Sequence, residues 1–208
     1  LVVADEEFTA LAEATELPIV LLGPAEQRDS TRAFPDDAAL VPMEHRQGSD
    51  LYRIMYTSGT TDRPKGVTHT YDNFFNKSFA HIVTLGLTAA DRLCIVGPLY
   101  HVGGCDLPGL TVHMYGGTIV LLRDYDPATV AATIEAEAIS GIWLAPVMTN
   151  GLLQLEGIDQ FDCTSLRWCI GGGERTPETR IRAFMQTFPN ARYVDAYGMT
   201  ETLSGDTL

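Results

Sequence analysis

Positive charge is what this sequence has least of: 14 Lys and Arg stand against 27 Asp and Glu, for a formal net charge of −13. That balance excludes non-specific nucleic-acid binding, which needs a basic footprint, and a polybasic membrane-docking face. It leaves room for one nucleotide, because a local loop can hold a polyanion on an acidic protein. No apolar run approaches the roughly 18 residues of a membrane span. Cysteine is sparse: none of Cys94, Cys105, Cys163 and Cys169 sits at C-x-x-C spacing, and no histidines cluster beside them. A zinc site and a disulfide framework are therefore not expected, and a reducing cytoplasm is the expected compartment. No signal peptide is expected from its opening residues, and the sequence opens at Leu1, without Met, on what reads as mid-domain sequence. The chain is expected to be a piece of a longer protein.

What is present is the composition of an ordinary globular domain, 45% hydrophobic over 208 residues. That length suits one domain, or one and part of another. Short apolar runs at Ile19–Leu22, Tyr52–Thr57, Arg92–Val96, Thr118–Leu122, Gly141–Ala145, Leu166–Ile170 and Ala191–Asp195 are nearly continuous, as in strands buried on both faces. Between them lie helix candidates: Tyr71–Leu85 after Thr70, Pro127–Ala138 after Asp126, and Pro177–Phe188 after Thr176, each preceded by a capping residue type. Cys105–Tyr115 is a fourth, interrupted by Pro108 and Gly109. This order predicts an α/β fold with a largely parallel sheet and flanking helices. Residues 23–50, with Gly23-Pro24, Phe34-Pro35 and Val41-Pro42, read as a connection between two α/β pieces.

The most informative segment is 56–66, Y-T-S-G-T-T-D-R-P-K-G, directly after a strand candidate. Thr57, Ser58, Thr60 and Thr61 supply hydroxyls, Gly59 and Gly66 bring the backbone close, and Lys65 supplies a positive charge. Such a loop suits phosphates. It is not a Walker-type loop, because Lys65 precedes Gly66 and follows Pro64. On composition alone it also reads as a Ser/Thr/Gly turn. Pro98-Leu99-Tyr100-His101-Val102-Gly103-Gly104 follows the next strand, and on the residues alone His101 reads more simply as a satisfied loop histidine. Gly171-Gly172-Gly173-Glu174 and Asp195-Ala196-Tyr197-Gly198-Met199-Thr200-Glu201 follow two later strands. Open parallel sheets place ligands at such carboxyl ends.

These four segments, in this order, resemble the signatures of the adenylate-forming superfamily, which includes acyl-CoA and aryl-CoA ligases, luciferases and peptide-synthetase adenylation domains. The phosphate-loop pattern there is Y/F-T-S/T-G-S/T-T-G-x-P-K-G, and every position fits but Asp62, where the family usually has Gly. The resemblance runs over roughly residues 50–202. It implies that residues 1–50 end a first α/β subdomain with its connection, and that 51–208 form an ATP-binding subdomain. That subdomain stops before a ribose-binding segment, a hinge and a small C-terminal domain. It also implies that Thr57, Ser58, Gly59, Thr60, Thr61 and Lys65 hold ATP phosphates. Gly172, Gly173, Glu174, Asp195, Ala196, Tyr197, Gly198, Met199 and Thr200 would surround adenine, the acyl group and the α-phosphate, and Glu201 would bind Mg²⁺. His101 would border the reacting carboxylate, with Lys65, Thr200 and Glu201 as further catalytic groups.

Amino-acid-activating members usually carry an Asp near the second motif. Here it reads P-L-Y-H-V-G-G, and Asp106 does not match that placement. The resemblance is therefore nearest to acyl-CoA synthetases, with ATP, Mg²⁺, a carboxylic acid and CoA or a carrier-protein pantetheine as reactants. Tyr100, His101, Val102, Met148, Gly172 and Met199 are candidate acid-pocket residues. Asp62 is expected to point into solvent, and the chain alone to be a poor catalyst. A catalytically degenerate nucleotide-binding module, and an acyl-AMP ligase serving a carrier protein, are the alternatives.

Overall fold

The computed structural model describes residues 2–5, 9–16, 19–22, 45–58 and 63–208. The chain divides into two compact units, Leu1–His45 and Arg46–Leu208. The first is a small β-α-β unit. Strand β1 (Val2–Asp5) pairs in parallel with β2 (Ile19–Leu22), and the short helix α1 (Thr9–Glu13) joins them. Most of the expected connection, residues 23–44, lies outside the described residues.

The second unit opens with an antiparallel hairpin, β3 (Leu51–Thr57) and β4 (Lys65–Thr70), in which Thr57 faces Lys65 and Arg53 faces His69. This corrects the reading of 52–57 as a doubly buried strand of the parallel sheet. Leu51 and Tyr56 are exposed, and the partner strand is the stretch from Lys65 onward that sequence alone assigned to a loop and a helix cap. The cause is local: only seven residues separate Thr57 from its ladder partner, so the chain folds straight back.

The main sheet is built from β5 (Arg92–Ile95), β6 (Thr118–Leu121), β7 (Gly141–Leu144), β8 (Trp168–Gly172), β9 (Arg192–Met199) and β10 (Ser204–Thr207). Its order is β10-β9-β8-β7-β5-β6, parallel throughout except for the β9–β10 pair. Helices α2 (Tyr71–Leu85), α3 (Val102–Cys105), α4 (Gly109–Met114), α5 (Pro127–Ala136), α6 (Pro146–Leu153) and α7 (Glu178–Thr187) fill the crossovers.

Alternation along the strands sorts the core to two faces. Ile142 and Leu144 of β7 and Cys169 of β8 pack with Val130 and Ile134 of α5, Leu152 of α6 and Phe184 of α7. Trp143, Trp168 and Ile170 point the other way, with Leu85 of α2, Leu93 and Ile95 of β5 and Val112 of α4. Each large side chain buried this way contributes about 1.5–3 kcal/mol. Gly141 is needed beneath Trp168, because a Cβ there would lie 2.0 Å from the indole ring.

Three further local expectations change. Thr176 does not cap a helix. Its buried hydroxyl lies 3.3 Å from the Tyr193 hydroxyl, and Pro177 takes the N-cap position of α7. The helix expected over 105–115 is only α4, Gly109–Met114, and α3 is a separate helix before it that ends at Cys105. Strand β9 continues to Met199 rather than ending at Asp195, because β10 returns along it and supplies ladder partners for Gly198 and Met199.

Candidate active site

A cleft of about 520 Å³ opens along the carboxyl ends of the strands in the second unit. Thr57, Ser58 and Lys65 line it from the hairpin, His101 and Gly103 from α3 and its cap, and Gly172 and Gly173 from the end of β8. Ala196, Gly198, Met199, Thr200 and Glu201 come from β9 and the turn after it. Because Thr57 and Lys65 are ladder partners, the hairpin sets a hydroxyl and an ammonium side by side at its loop end.

The glycines have separate jobs. Gly171 lies under the Tyr193 ring, with its would-be Cβ 1.8 Å from the Tyr193 hydroxyl. Gly172 faces the cleft, and Gly173 turns the chain at φ +94°. Gly198 lets β10 approach, since a Cβ there would fall 1.8 Å from the Ser204 carbonyl oxygen. Gly103 and Gly104 serve packing: Cβ atoms there would strike the Trp143 ring and the Pro98 carbonyl oxygen, each at 2.7 Å.

His101 caps α3. Its Nδ1 accepts a hydrogen bond from the Gly103 backbone N–H at 3.0 Å, so in the neutral ring Nε2 carries the proton. After β9 the chain makes a single 3-10 turn, Thr200–Thr202, then passes through Leu203 and Ser204 at φ +57° and +90°. Thr202 ties this turn by donating to the Asp206 carboxylate at 2.6 Å. Beside the cleft the Asp106 carboxylate is buried. Burial raises its pKa, opposed by the hydrogen bond and charge of Arg53, whose guanidinium lies 2.6 Å away. The four cysteines are free thiols, and burial pushes Cys94 up to about 12, so it is no nucleophile at neutral pH.

Of the residues expected from sequence, Glu174, Asp195 and Tyr197 are exposed and do not line the cleft wall. Gly59, Thr60, Thr61 and Asp62 lie outside the described residues. Tyr100 is solvent-exposed, and Met148 packs against the core, so neither lines the cleft. Sequence reasoning missed Leu107, Trp143, Ser204 and Gly205, which do line it. Trp143 was readable only as an aromatic within a strand. Which face it takes depends on register, and no motif marks it. Among the described residues, no three His, Cys, Asp or Glu side chains converge as a metal-binding set, and no helix is long and apolar enough to cross a membrane.

Comparison with known proteins shows the family and the fold. The profile of the family described as "AMP-binding enzyme" matches residues 2–207. The long-chain-fatty-acid–CoA ligase FadD13 of Mycobacterium tuberculosis is 30% identical over 171 residues, which is 82% of this chain and 33% of that protein. The N-terminal domain of FACL13 from Mycobacterium tuberculosis, in an inhibitor-bound crystal structure, superposes with a TM-score of 0.80 at 25% identity. The match covers 98% of this chain and 51% of that one. The O-succinylbenzoate coenzyme A synthetase of Bacillus subtilis, in complex with ATP and magnesium ion, superposes with a TM-score of 0.76 at 25% identity. Here 98% of this chain and 40% of that one are covered. The chain spans about a third of the length of the curated relatives it matches.

Proposed function

The chain belongs to the AMP-binding enzyme family of adenylate-forming enzymes, and from that premise we propose that the protein activates a carboxylic acid with ATP and then transfers the acyl group to the thiol of CoA. One observation carries this reading. The cleft gathers Lys65, His101, Gly172 and Thr200–Glu201, which belong to four separate segments of the hairpin and the main sheet.

In the first step an acid oxygen attacks the α-phosphorus of ATP. The bond to the bridging oxygen breaks, and pyrophosphate leaves. In the second step the CoA sulfur attacks the acyl carbon, the acyl–oxygen bond breaks, AMP leaves and the thiol proton is lost. The Lys65 ammonium and the hydroxyls of Thr57 and Ser58 would hold the β- and γ-phosphates, with Gly59, Thr60 and Thr61 completing the loop. The Nε2–H of His101 would donate to the acid carboxylate and orient it. Thr200 would donate to the α-phosphate. Fixed donors of this kind supply most of such a rate enhancement. Glu201 fits magnesium, being a lone exposed carboxylate on the cleft wall, the usual complement to phosphate oxygens and waters. When bound, the ion would offset phosphate charge. Gly173, Ala196, Gly198 and Met199 would flank the nucleoside, with Glu174, Asp195 and Tyr197 at its edge. Residues 1–50 would end a first subdomain, and 51–208 would form the nucleotide-binding one. Four free thiols suit a reducing cytoplasm.

The test is acid-dependent ATP–pyrophosphate exchange by the full-length protein across a panel of carboxylic acids. Exchange with one acid class, reduced about a hundredfold or more by Lys65→Ala, is the expected result. MgATP binding without exchange for any acid would overturn it in favour of a binding module, the reading that Asp62 in the phosphate loop favours. Exchange followed by transfer to a carrier protein but not to CoA would revise the acceptor.

A further inference from the structure

We infer that the half-buried Arg53 and the buried His69 form a polar rivet that positions the Thr200–Glu201 turn against the phosphate-loop hairpin. The inference rests on the reading of this cleft as the adenylation site. Arg53 and His69 are opposite one another in the β3–β4 ladder. The Arg53 Nε–H donates to His69 Nδ1 at 3.1 Å. Arginine does not give up its proton, so Nδ1 must be the acceptor, and the ring proton sits on Nε2. Nε2 lies 2.7 Å from the Thr200 carbonyl oxygen, which it therefore donates to. Only the neutral Nε2–H tautomer makes both bonds. His69 is 1% exposed, so water cannot replace either partner at low cost.

The other end of Arg53 is also fixed. Its terminal nitrogen donates to the buried Asp106 carboxylate at 2.6 Å. The four groups form one chain: Asp106, Arg53, His69 and the Thr200 carbonyl. It joins the hairpin that carries the phosphate loop, the segment just after α3 and its His101 cap, and the turn after β9. Neither Arg53 nor His69 lines the cleft, so both are positioning residues. The turn they hold needs such support. It is one 3-10 turn followed by two non-glycine residues at positive φ, a costly backbone state that persists only where surroundings enforce it. Within the turn the Thr200 carbonyl also accepts from the Leu203 N–H at 3.1 Å. Without His69, that bond alone would hold the carbonyl.

The test compares three variants of the full-length protein. His69→Leu removes the donor to Thr200. His69→Asn keeps a group near Nδ1 but cannot reach Thr200. His69→Gln keeps a donor at the Nε2 position. The expected result for Leu and Asn is a fall in kcat for pyrophosphate exchange of about tenfold to a hundredfold, with the acid KM little changed. Gln should restore kcat to within about threefold. Hydrogen exchange of the 198–204 segment should accelerate in Leu and Asn and return to wild type in Gln. If the three variants behave alike, whether impaired or not, the rivet is overturned. If wild type shows no exchange with any acid, the adenylation reading fails, and the hydrogen-exchange comparison still decides whether His69 holds the turn.

Discussion

His81 shows how one side chain couples this fold to pH. It lies on α2 with both ring nitrogens buried, and burial, helped by the Lys77 charge and only partly opposed by the Gly205 backbone, pushes its pKa down to about 4. The unfolded chain takes up this proton near pH 6.5, whereas the folded chain does not until about pH 4. The stability it contributes is therefore complete above neutral pH and is lost as pH falls from about 6.5 toward 4, by at most roughly 3 kcal/mol. Urea unfolding from pH 7.5 to 5 should show this slope, and His81→Leu should flatten it. An unchanged slope in the variant would refute the assignment. Gly198 illustrates the opposite limit, a position with no tolerance. A Cβ there meets the Ser204 backbone rather than a flexible side chain, so Gly198→Ala should destabilise by about 1–3 kcal/mol and spread β9 from β10. A melting temperature equal to wild type would contradict this.

At the scale of elements, sequence signals worked where the cause is local. Helix α2 begins and ends where its caps dictate. The Thr70 hydroxyl accepts from the Asn73 N–H, the Asn73 side chain returns the bond to the Thr70 N–H, and Gly86 closes the helix at φ +64°. Asp126 caps α5 in the same way, accepting from the Thr129 N–H at 2.8 Å with Pro127 behind it. Thr70→Ala should cost about 1 kcal/mol, measured by denaturant unfolding. It should leave α5 unaffected, because that cap is independent. The same reasoning failed at Thr176, whose hydroxyl is claimed by Tyr193, a residue 17 positions away that no capping rule can see. It failed again at β3 and β9, whose partners β4 and β10 decide their roles. A strand's apolar content does not say whether its neighbour is a parallel strand across the core or an antiparallel one at an edge.

Across the whole chain, the heavy negative charge coexists with an apolar stripe on α2. Phe75, Phe79 and Val83 recur every four residues and are exposed, Phe79 at 60% and Val83 at 81%. An exposed patch of this kind favours association, while substitution within it costs the fold little. Phe79→Glu should change stability by no more than about 0.5 kcal/mol and shift light scattering of the 208-residue chain toward monomer. Scattering unchanged by the substitution would show that the stripe does not drive association.

Local chemistry in the residue order was enough to indicate an α/β fold and four ligand-suited segments. Glycines, hydroxyls, caps and apolar runs act on near neighbours, and their effects can be read in order. The contacts through which those segments meet were not readable. Thr57 meets Lys65 through a hairpin register, Trp143 enters the cleft through the face its strand presents, and the Thr200 carbonyl is held by a histidine 131 residues earlier. Each depends on which strands pair and in what register. For the strands of the main sheet that choice is made by burial of the two core faces together, a property of the folded chain and of no single segment.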